Sequence, residues 1–438
     1  MTAPSSSSGA SAPRAPTLRR AIRGRHAVAL YVSSVLGSGI LVLPGLAAQL
    51  AGPASLLAWA FLAVASLPFA LTFATLSARH PESGGIYGFA KEAFGPSIAV
   101  VCGWLFTFWE FTGAPAVALI AASYLGYAFP LDRPETFLAG FAIVAFAIAV
   151  NYRGIVLSAR IQLAVISAIV ALLLVVVAVA GARVAPANFA PFLPYGWAPV
   201  ATAVALLFWS FLGYENVSSV AEEFEDPRRD FRRSVYLSVA LVGALYFSVA
   251  FVTVGTAAYR AGGSVAPFAA ILGRVVGPYA AAGTSLVALF IIFGVVNAYT
   301  TGMSRVIYAT ARDGGLPGSL ATLDPESRVP RRALLLMLGG SAAVFLLYYV
   351  FSIDLTTALL VASGAAIVLY VIGSSAGVRL HGRDGGLGRS ARAIAAISLG
   401  ISLVVLPFIG WPILAPLAVA GVAFVVAEGR ARRVAPAS

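Results

Sequence analysis

Two glycine-containing stretches of this sequence have residues that could do chemistry inside a membrane. They are residues 36–40 (LGSGI) and residues 211–215 (FLGYE), and each lies within an apolar run long enough to cross a bilayer. Glycine weakens a helix, and the carboxylate of Glu215 costs roughly 2.5–3.5 kcal/mol at that depth on insertion scales. A membrane helix leaves backbone groups unpaired only where they line a cavity or a site enclosed by protein. Two interrupted spans at corresponding positions of two halves therefore predict the central binding site of a transporter.

The first stretch suits the binding of a carboxylate. Gly37 and Gly39 allow the backbone to unwind and to approach a ligand closely. The half-helix that follows directs free N–H groups and the positive end of its dipole inward, which favours an anion. The alternative is a seam of small residues for helix packing, a common use of glycine in membrane helices. This stretch by itself leaves both interpretations open.

The second stretch suits the binding of an ammonium group. It runs from residue 208 to residue 216 (FWSFLGYEN) and continues into residues 221–229 (AEEFEDPRR). An unwound segment here would expose carbonyl oxygens to a cation. Packing against lipid or core residues is an ordinary alternative for Trp209. For Glu215 we see no structural role that would explain the free energy that a carboxylate costs at that depth.

The composition predicts that these stretches are positioned by an all-α integral membrane protein. Of 438 residues, 60% are hydrophobic and only 11% are charged, against about 25% charged in an average soluble domain, and the mean hydropathy is +0.92. A span needs about 20 apolar residues, and about twelve runs are candidates. The predicted spans are 26–50, 54–78, 97–129, 136–151, 155–181, 198–222, 233–257, 279–311, 333–351, 355–379, 392–408 and 411–427.

The basic residues predict the orientation of these spans. An even number of spans places both termini on one side, and almost all of the 29 Lys and Arg residues fall on that side. The positive-inside rule identifies it as the cytoplasmic side. The net charge of +12 therefore predicts contact with the lipid bilayer and its anionic lipids rather than with nucleic acid. The exceptions on the outer side are Arg133, Arg183, Arg260 and Arg274.

The order of the spans predicts an internal repeat. The interrupted spans occupy equivalent positions in spans 1–5 and 6–10, and an odd number of spans per half inverts the second copy. The region between spans seven and eight, residues 264–276, predicts a short helix or lid at the outer surface. The predicted divisions are a disordered cytoplasmic tail over residues 1–25, a first five-helix repeat over 26–181, a second, inverted repeat over 198–379, two accessory spans over 392–427 and a cytoplasmic tail over 428–438.

The sequence lacks the residues that several other kinds of chemistry require. The single cysteine, Cys102, excludes a disulfide within the chain. The three histidines, His26, His80 and His381, are scattered and resemble no metal site. No Gly-x-x-x-x-Gly-Lys-Ser/Thr phosphate loop occurs, and no clustered nucleophile and base suggest an enzyme. We therefore expect no cofactor, no metal and no enzymatic activity.

Taken together, the motifs resemble those of the amino acid–polyamine–organocation (APC) transporter superfamily. The shared features are the GSGI break at 37–40, the F-x-G-x-E break at 211–215 and the A-E-E-x-x-x-P-x-R signature at 221–229. The runs PESGG at 81–85 and RDGGLP at 312–317 match the superfamily as well. The chain looks most like the compact bacterial branch that exports methionine and branched-chain amino acids. Its second stretch is also similar to that of bacterial arginine–agmatine exchangers.

The resemblance implies the leucine-transporter fold, in which two inverted five-helix repeats hold the substrate at the membrane midplane between discontinuous helices 1 and 6. It implies that the first stretch binds the substrate α-carboxylate, that backbone around Trp209 and Phe211 binds the α-ammonium, and that Trp209 covers the substrate as a gate. The implied substrate-binding residues are Ser34, Gly37, Ser38, Gly39, Ile40, Glu110, Trp209, Phe211, Gly213 and Tyr299. The implied gating and coupling residues are Glu110, Trp209, Glu215 and Asn297.

Glu110 in the third span departs from the pattern of the neutral amino-acid exporters, which are apolar at this place. Burial disfavours the charged form of a carboxylate, so Glu110 is suited to carrying a coupling proton or making the pocket polar. It is equally suited to binding a cationic side chain of a substrate. A third role is structural pairing with Asn297 or with a tyrosine hydroxyl. All three roles stay open at this point.

The sequence therefore predicts a secondary transporter of the bacterial cytoplasmic (inner) membrane. We expect it to move small neutral, hydrophobic amino acids by alternating access, with efflux coupled to proton antiport. The alternatives are an exchanger of basic amino acids or polyamines that uses Glu110 as counter-charge, or an amino-acid importer. A membrane-embedded enzyme or sensor is a different class of protein. It would need a catalytic constellation or an attached signalling domain, and neither is visible in the sequence. Monomer and homodimer both stay open.

Overall fold

The computed structural model describes residues 28, 31–32, 34–79, 85–154, 159–214, 227–260, 262–383 and 388–434, and throughout these ranges the regular elements are helices. The predicted N-terminal tail and the signature at 221–229 lie wholly or largely outside the described residues. The α-helices are α1 (Leu43–Ala51), α2 (Ser55–Arg79), α3 (Ile86–Phe94), α4 (Pro96–Ala128), α5 (Arg133–Tyr152), α6 (Ala159–Gly181), α7 (Trp197–Leu207), α8 (Pro227–Gly255), α9 (Pro267–Val275), α10 (Pro278–Arg312), α11 (Arg331–Val350), α12 (Leu355–Arg383), α13 (Arg389–Val405) and α14 (Leu414–Val434).

Ten helical stretches in the described ranges are long and apolar enough to cross a membrane, and a shorter apolar stretch covers Trp197–Phe211. These stretches confirm an all-α, multi-pass membrane fold. Within the described residues, the predicted first span contributes Leu43–Ala51 to the stretch Leu43–Arg79, and the predicted sixth span contributes the shorter stretch Trp197–Phe211. The inverted relation between the two halves stays a prediction.

The connection after α2 differs from the predicted loop over residues 79–96, because it contains the helix α3. Its buried residues, Ile86, Phe89, Ala90 and Ala93, recur at helical spacing and form one apolar face. Gly85 and Gly95 flank it with positive φ angles of 75° and 93°, which separate α3 from the long helices on either side. The predicted outer-surface helix over 264–276 corresponds to α9.

The end of α10 is fastened to α3. The Tyr87 hydroxyl donates to Asp313 Oδ2 at 3.0 Å, and Lys91 Nζ lies 3.3 Å from the same oxygen. Burial by itself raises the pKa of Asp313, but the Tyr87 hydrogen bond and the Lys91 charge outweigh this effect and hold the pKa below its usual value. Asp313 is therefore ionised at pH 7, and the contact between the two helices is present there.

The centre of the molecule is α4. Buried residues make up 83% of its most apolar stretch, compared with 22% in α14, which lies at the periphery. A Cβ atom at Gly103 of α4 would lie 2.5 Å from the side chain of Thr310 in α10. A Cβ at Gly340 of α11 would similarly lie 2.8 Å from Phe111 of α4. Small residues therefore allow neighbouring helices to approach α4 closely.

The break before α1 is held by two tyrosines from other helices. A short 3₁₀ turn, Ser38–Leu41, replaces α-helical geometry here, and it frees backbone carbonyls on both sides. The Tyr246 hydroxyl of α8 donates to the Val35 carbonyl at 2.9 Å, and the Tyr124 hydroxyl of α4 donates to the Leu41 carbonyl at 2.6 Å. The interruption is thus a stably bonded feature of the fold.

We expect Tyr124→Phe and Tyr246→Phe each to lower the free energy of unfolding by about 1–3 kcal/mol, because each leaves a buried carbonyl without its donor. Thermal unfolding of the purified protein in detergent would show this as a lower melting temperature. Tyr279→Phe is the control, since Tyr279 is 92% exposed. Melting temperatures equal to that of the control would contradict the role of the two hydroxyls.

Candidate functional site

The two interrupted segments meet at the centre of the molecule, and glycines allow the contact. Gly213 has a φ angle of 121°, and a Cβ there would lie 2.1 Å from the Ser34 carbonyl oxygen. A Cβ at Gly39 would lie 2.6 Å from Cδ1 of Trp209. Side chains at these two positions would therefore force the segments apart.

A pocket lies between the two segments and the helices α4 and α10. The space between its lining residues is about 610 Å³ including its mouth, within the range of roughly 300–1,000 Å³ common for small-molecule sites. Only about 40 Å³ admits the centres of water molecules, so the pocket is narrow. Its lining consists of Ser34, Val35, Gly37, Ser38, Gly39, Trp109, Glu110, Gly113, Ala114, Val117, Trp209, Ser210, Leu212, Val295, Val296, Tyr299 and Met303.

Backbone polar groups of both segments face the same region. Ser38 and Gly39 begin the 3₁₀ turn, so their N–H groups have no acceptor within it. On the other segment, a 3₁₀ turn over Phe208–Phe211 ends where Leu212 becomes extended, with ψ 155°. The Trp209 carbonyl accepts a hydrogen bond from the Leu212 N–H, and among the described residues the carbonyls of Ser210 and Phe211 at the end of the turn have no helical donor. Donors for an anion and acceptors for a cation thus lie on opposite segments of one site.

Three aromatic side chains from different elements form one wall of the pocket. The ring of Trp109 in α4 lies edge-on to Trp209, with centroids 5.9 Å apart, and 6.2 Å from the ring of Tyr299 in α10. Nε1 of Trp109 and Oγ of Ser210 are buried without a hydrogen-bond partner among the described residues. A buried polar atom without a partner costs free energy, and a ligand that forms a hydrogen bond to it would remove this cost.

Glu110 lies in the pocket lining and is only 5% exposed. Within the described part of the chain, its carboxylate takes part in no hydrogen bond or ion pair. Asn297 does not pair with it: Asn297 Oδ1 accepts a hydrogen bond from Nδ2 of Asn151 at 2.9 Å, and Oγ1 of Thr301 donates to Asn151 Oδ1 at 2.6 Å. The structural pairing of Glu110 with Asn297 is therefore absent from the structure.

The structure brings most of the predicted binding residues together. Three of them lie elsewhere: Ile40 is fully buried in the core, Phe211 packs against Trp59 and Tyr246, and Gly213 contacts the backbone of Ser34. Glu215 lies outside the described residues. The predicted residues that line the pocket are Ser34, Gly37, Ser38, Gly39, Glu110, Trp209 and Tyr299. Their roles in binding stay predictions.

Sequence reasoning missed Trp109, Ser210 and the small and aliphatic residues of the lining. Trp109 directly precedes Glu110, and Ser210 directly follows Trp209. Their position next to predicted site residues was the one signal in the sequence that could have identified them. The described residues contain no group of three or more His, Cys, Asp or Glu side chains that could hold a metal ion.

A multi-pass membrane protein with two interrupted helices around one central pocket has the architecture of a transporter. The family model for amino acid permeases matches residues 24–427, so the chain belongs to this family of the APC superfamily. It is a transporter rather than an enzyme.

Individual relatives support the same assignment. An uncharacterized amino acid permease of Bacillus subtilis (strain 168) is 36% identical over 94% of this chain and 97% of its own. The L-methionine/branched-chain amino acid exporter of Escherichia coli (strain K12) is 30% identical over 88% and 90%. A branched-chain amino acid permease of Bacillus subtilis (strain 168) is 30% identical over 72% of both chains.

We expect Gly213→Ala to abolish transport and to reduce folded yield, because the new Cβ would overlap the Ser34 backbone and the φ angle is strained for alanine. Gly39→Ala should impair transport more than stability, because its clash is with the movable Trp209 side chain. Counterflow and melting temperature would be measured for each variant. Gly302→Ala is the control, since a Cβ there meets nothing within 4 Å. Wild-type transport by Gly213→Ala would contradict the proposed closeness of the segments.

Proposed function

We propose that this protein is a secondary transporter that exports neutral, hydrophobic amino acids by alternating access, coupled to proton antiport. The observation that carries the proposal is the pocket between the two interrupted segments. It combines unpaired backbone groups with a mostly apolar lining that contains a single carboxylate.

The backbone groups fit the part that all amino acids share. The N–H groups of Ser38 and Gly39, at the positive end of a helical turn, suit the α-carboxylate. The carbonyls at the end of the Phe208–Phe211 turn suit the α-ammonium group. Trp209 belongs to the same aromatic wall as Trp109 and lines the pocket, where it can cover a bound substrate.

The remaining lining fits an apolar side chain. Val117, Val295, Val296 and Met303 offer aliphatic and thioether surface, which gains free energy when an aliphatic side chain leaves water. Methionine is also adaptable in shape, which suits a pocket that accepts several hydrophobic side chains. The names of two relatives, a methionine and branched-chain amino acid exporter and a branched-chain amino acid permease, support this substrate class.

Glu110 supports proton coupling. A buried carboxylate with no cation beside it favours its protonated form, and contact with water favours the ionised form. Alternating exposure of the pocket to the two sides would thus load and release a proton at Glu110. The second candidate, exchange of basic amino acids or polyamines, uses the same observation, because an ionised Glu110 would pair with a cationic substrate.

The arginine distribution supports the orientation. Arg153, Arg160, Arg312, Arg383 and Arg389 lie at the ends of spanning helices that the positive-inside rule places at the cytoplasmic face. Both termini would then be cytoplasmic, in the inner membrane of a bacterium. The placement of both termini on one side follows from the even number of predicted spans.

Counterflow into proteoliposomes tests the substrate class. Labelled leucine, methionine, arginine and putrescine would be compared at two pH values without sodium. We expect exchange of leucine and methionine, because the pocket lining is apolar. Exchange of only arginine or putrescine would overturn the proposal in favour of the basic exchanger.

We expect Glu110→Gln to keep leucine exchange but to abolish accumulation driven by a proton gradient, because glutamine keeps the shape and carries no titratable proton. Leucine counterflow would also lose its dependence on pH. The matched control is Glu326→Gln, which removes a carboxylate from an exposed loop. Gradient-driven accumulation at the wild-type level in Glu110→Gln would show that the proton is carried elsewhere.

A further inference from the structure

A second cavity lies far from the central pocket, at the junction of α12, α13 and α3. It is an open depression at the surface, with about 860 Å³ of space between its lining residues including its mouth. Its lining includes Arg379 and Arg383 of α12, Arg392 of α13, and Ser375 and Phe94. It therefore presents three guanidinium groups and no carboxylate.

The three arginines converge on one turn of α12. Arg379 and Arg383 are four residues apart, so they share one face of the helix. Arg392 reaches across from α13, where its Cζ lies 3.5 Å from the position of a Cβ at Gly382. Within the described ranges, none of the three forms an ion pair with a carboxylate. Like charges brought together in this way repel one another, and a bound anion would remove the repulsion.

The helix dipoles do not account for this cluster. Arginines near the end of α12 are stabilised by its negative C-terminal end, and Arg379 also lies 5.3 Å from the ring of Phe94. Arg392, however, lies at the end of the first turn of α13, where the dipole disfavours a cation. The free N–H groups of that first turn are themselves suited to an anion.

The position of the cavity favours a lipid as the source of the anion. It lies at the ends of two membrane-spanning helices, on the face that carries most of the arginines. An apolar strip continues from it along α13: Leu399, two turns after Arg392 on the same face of the helix, lines the cavity, and Leu403, one turn further on that face, is 49% exposed. A phosphate group in the cavity would thus place acyl chains along this strip.

We propose that this cavity is a binding site for an anionic phospholipid, whose headgroup phosphate is held by Arg379, Arg383 and Arg392. Guanidinium groups bind phosphate oxygens through paired hydrogen bonds, and the Ser375 hydroxyl lines the same cavity. The lipid would connect α12, α13 and α3 at the membrane surface. This site does not depend on the transported substrate.

Native mass spectrometry of the purified full-length protein tests the site. The delipidated protein would be titrated with phosphatidylglycerol or with zwitterionic phosphatidylethanolamine. We expect one phosphatidylglycerol to bind tightly and phosphatidylethanolamine to bind weakly. The triple variant Arg379→Gln, Arg383→Gln, Arg392→Gln should bind phosphatidylglycerol about a hundredfold more weakly, as expected for the loss of three arginines at an anionic lipid surface.

The control removes the same charge elsewhere. Arg153→Gln, Arg160→Gln and Arg332→Gln change three exposed arginines on other helices, and this variant should bind phosphatidylglycerol within about threefold of wild type. The single variant Arg392→Gln, at an exposed position, keeps the test valid if the triple variant does not fold; it should bind several-fold more weakly with an unchanged melting temperature.

Two results would overturn the proposal. One is wild-type affinity for phosphatidylglycerol in the Arg392→Gln and triple variants, or equal loss in the control. The other is complete displacement of phosphatidylglycerol by inorganic phosphate at millimolar concentration, which would make a free phosphate ion the ligand. Failure of the lipid site would leave the counterflow results unaffected, so the two proposals are tested separately.

Discussion

The structure depends on one constraint, the pairing of backbone groups that the first interrupted span frees inside an apolar environment. Water is absent at that depth, so protein groups have to satisfy them. Tyr246 of α8 and Tyr124 of α4 donate to the carbonyls of Val35 and Leu41 on either side of the turn. These hydrogen bonds require both helices to lie beside the interruption. The placement of α4 in turn determines which residues of α10 and α11 can approach the centre, where Gly103 and Gly340 remove the intervening side chains.

The groups that the fold leaves unpaired at the interruption are the ones that face the pocket. The N–H groups of Ser38 and Gly39 and the carbonyls at the end of the second turn have no helical partners. A zwitterionic ligand would complete this hydrogen bonding, and its side chain would meet an apolar wall. In the proposed function, backbone groups would recognise the common part of an amino acid, while Val295, Val296 and Met303 would provide selectivity for the variable part.

Unpaired charge marks the two places in the molecule that we connect with ligands. Among the residues that the structure describes, the buried carboxylate of Glu110 has no cation beside it, and the arginine cluster between α12 and α13 has no carboxylate partner. The first arrangement is unfavourable because an isolated charge in a poorly solvated place costs free energy. The second is unfavourable because like charges close together repel one another. A proton or cationic group would relieve the first, and an anionic headgroup would relieve the second. The two sites lie between different sets of helices, and the tasks that we propose for them are separate.

The sequence by itself determined the membrane fold, most of the spanning helices and the two interruptions, because apolar length and glycine placement are local properties of the chain. It could not determine which side of each helix faces the pocket. α4 is buried on nearly all sides, so its residues show no polar face from which Trp109 could be distinguished from its neighbours. Ile40 and Phe211 belong to the motifs, yet their side chains are buried in the core. Membership of a motif did not reveal the direction of either side chain. The tyrosine hydrogen bonds and the approach of Arg392 to α12 join residues distant in the sequence or on separate helices, and only helix packing brings them together.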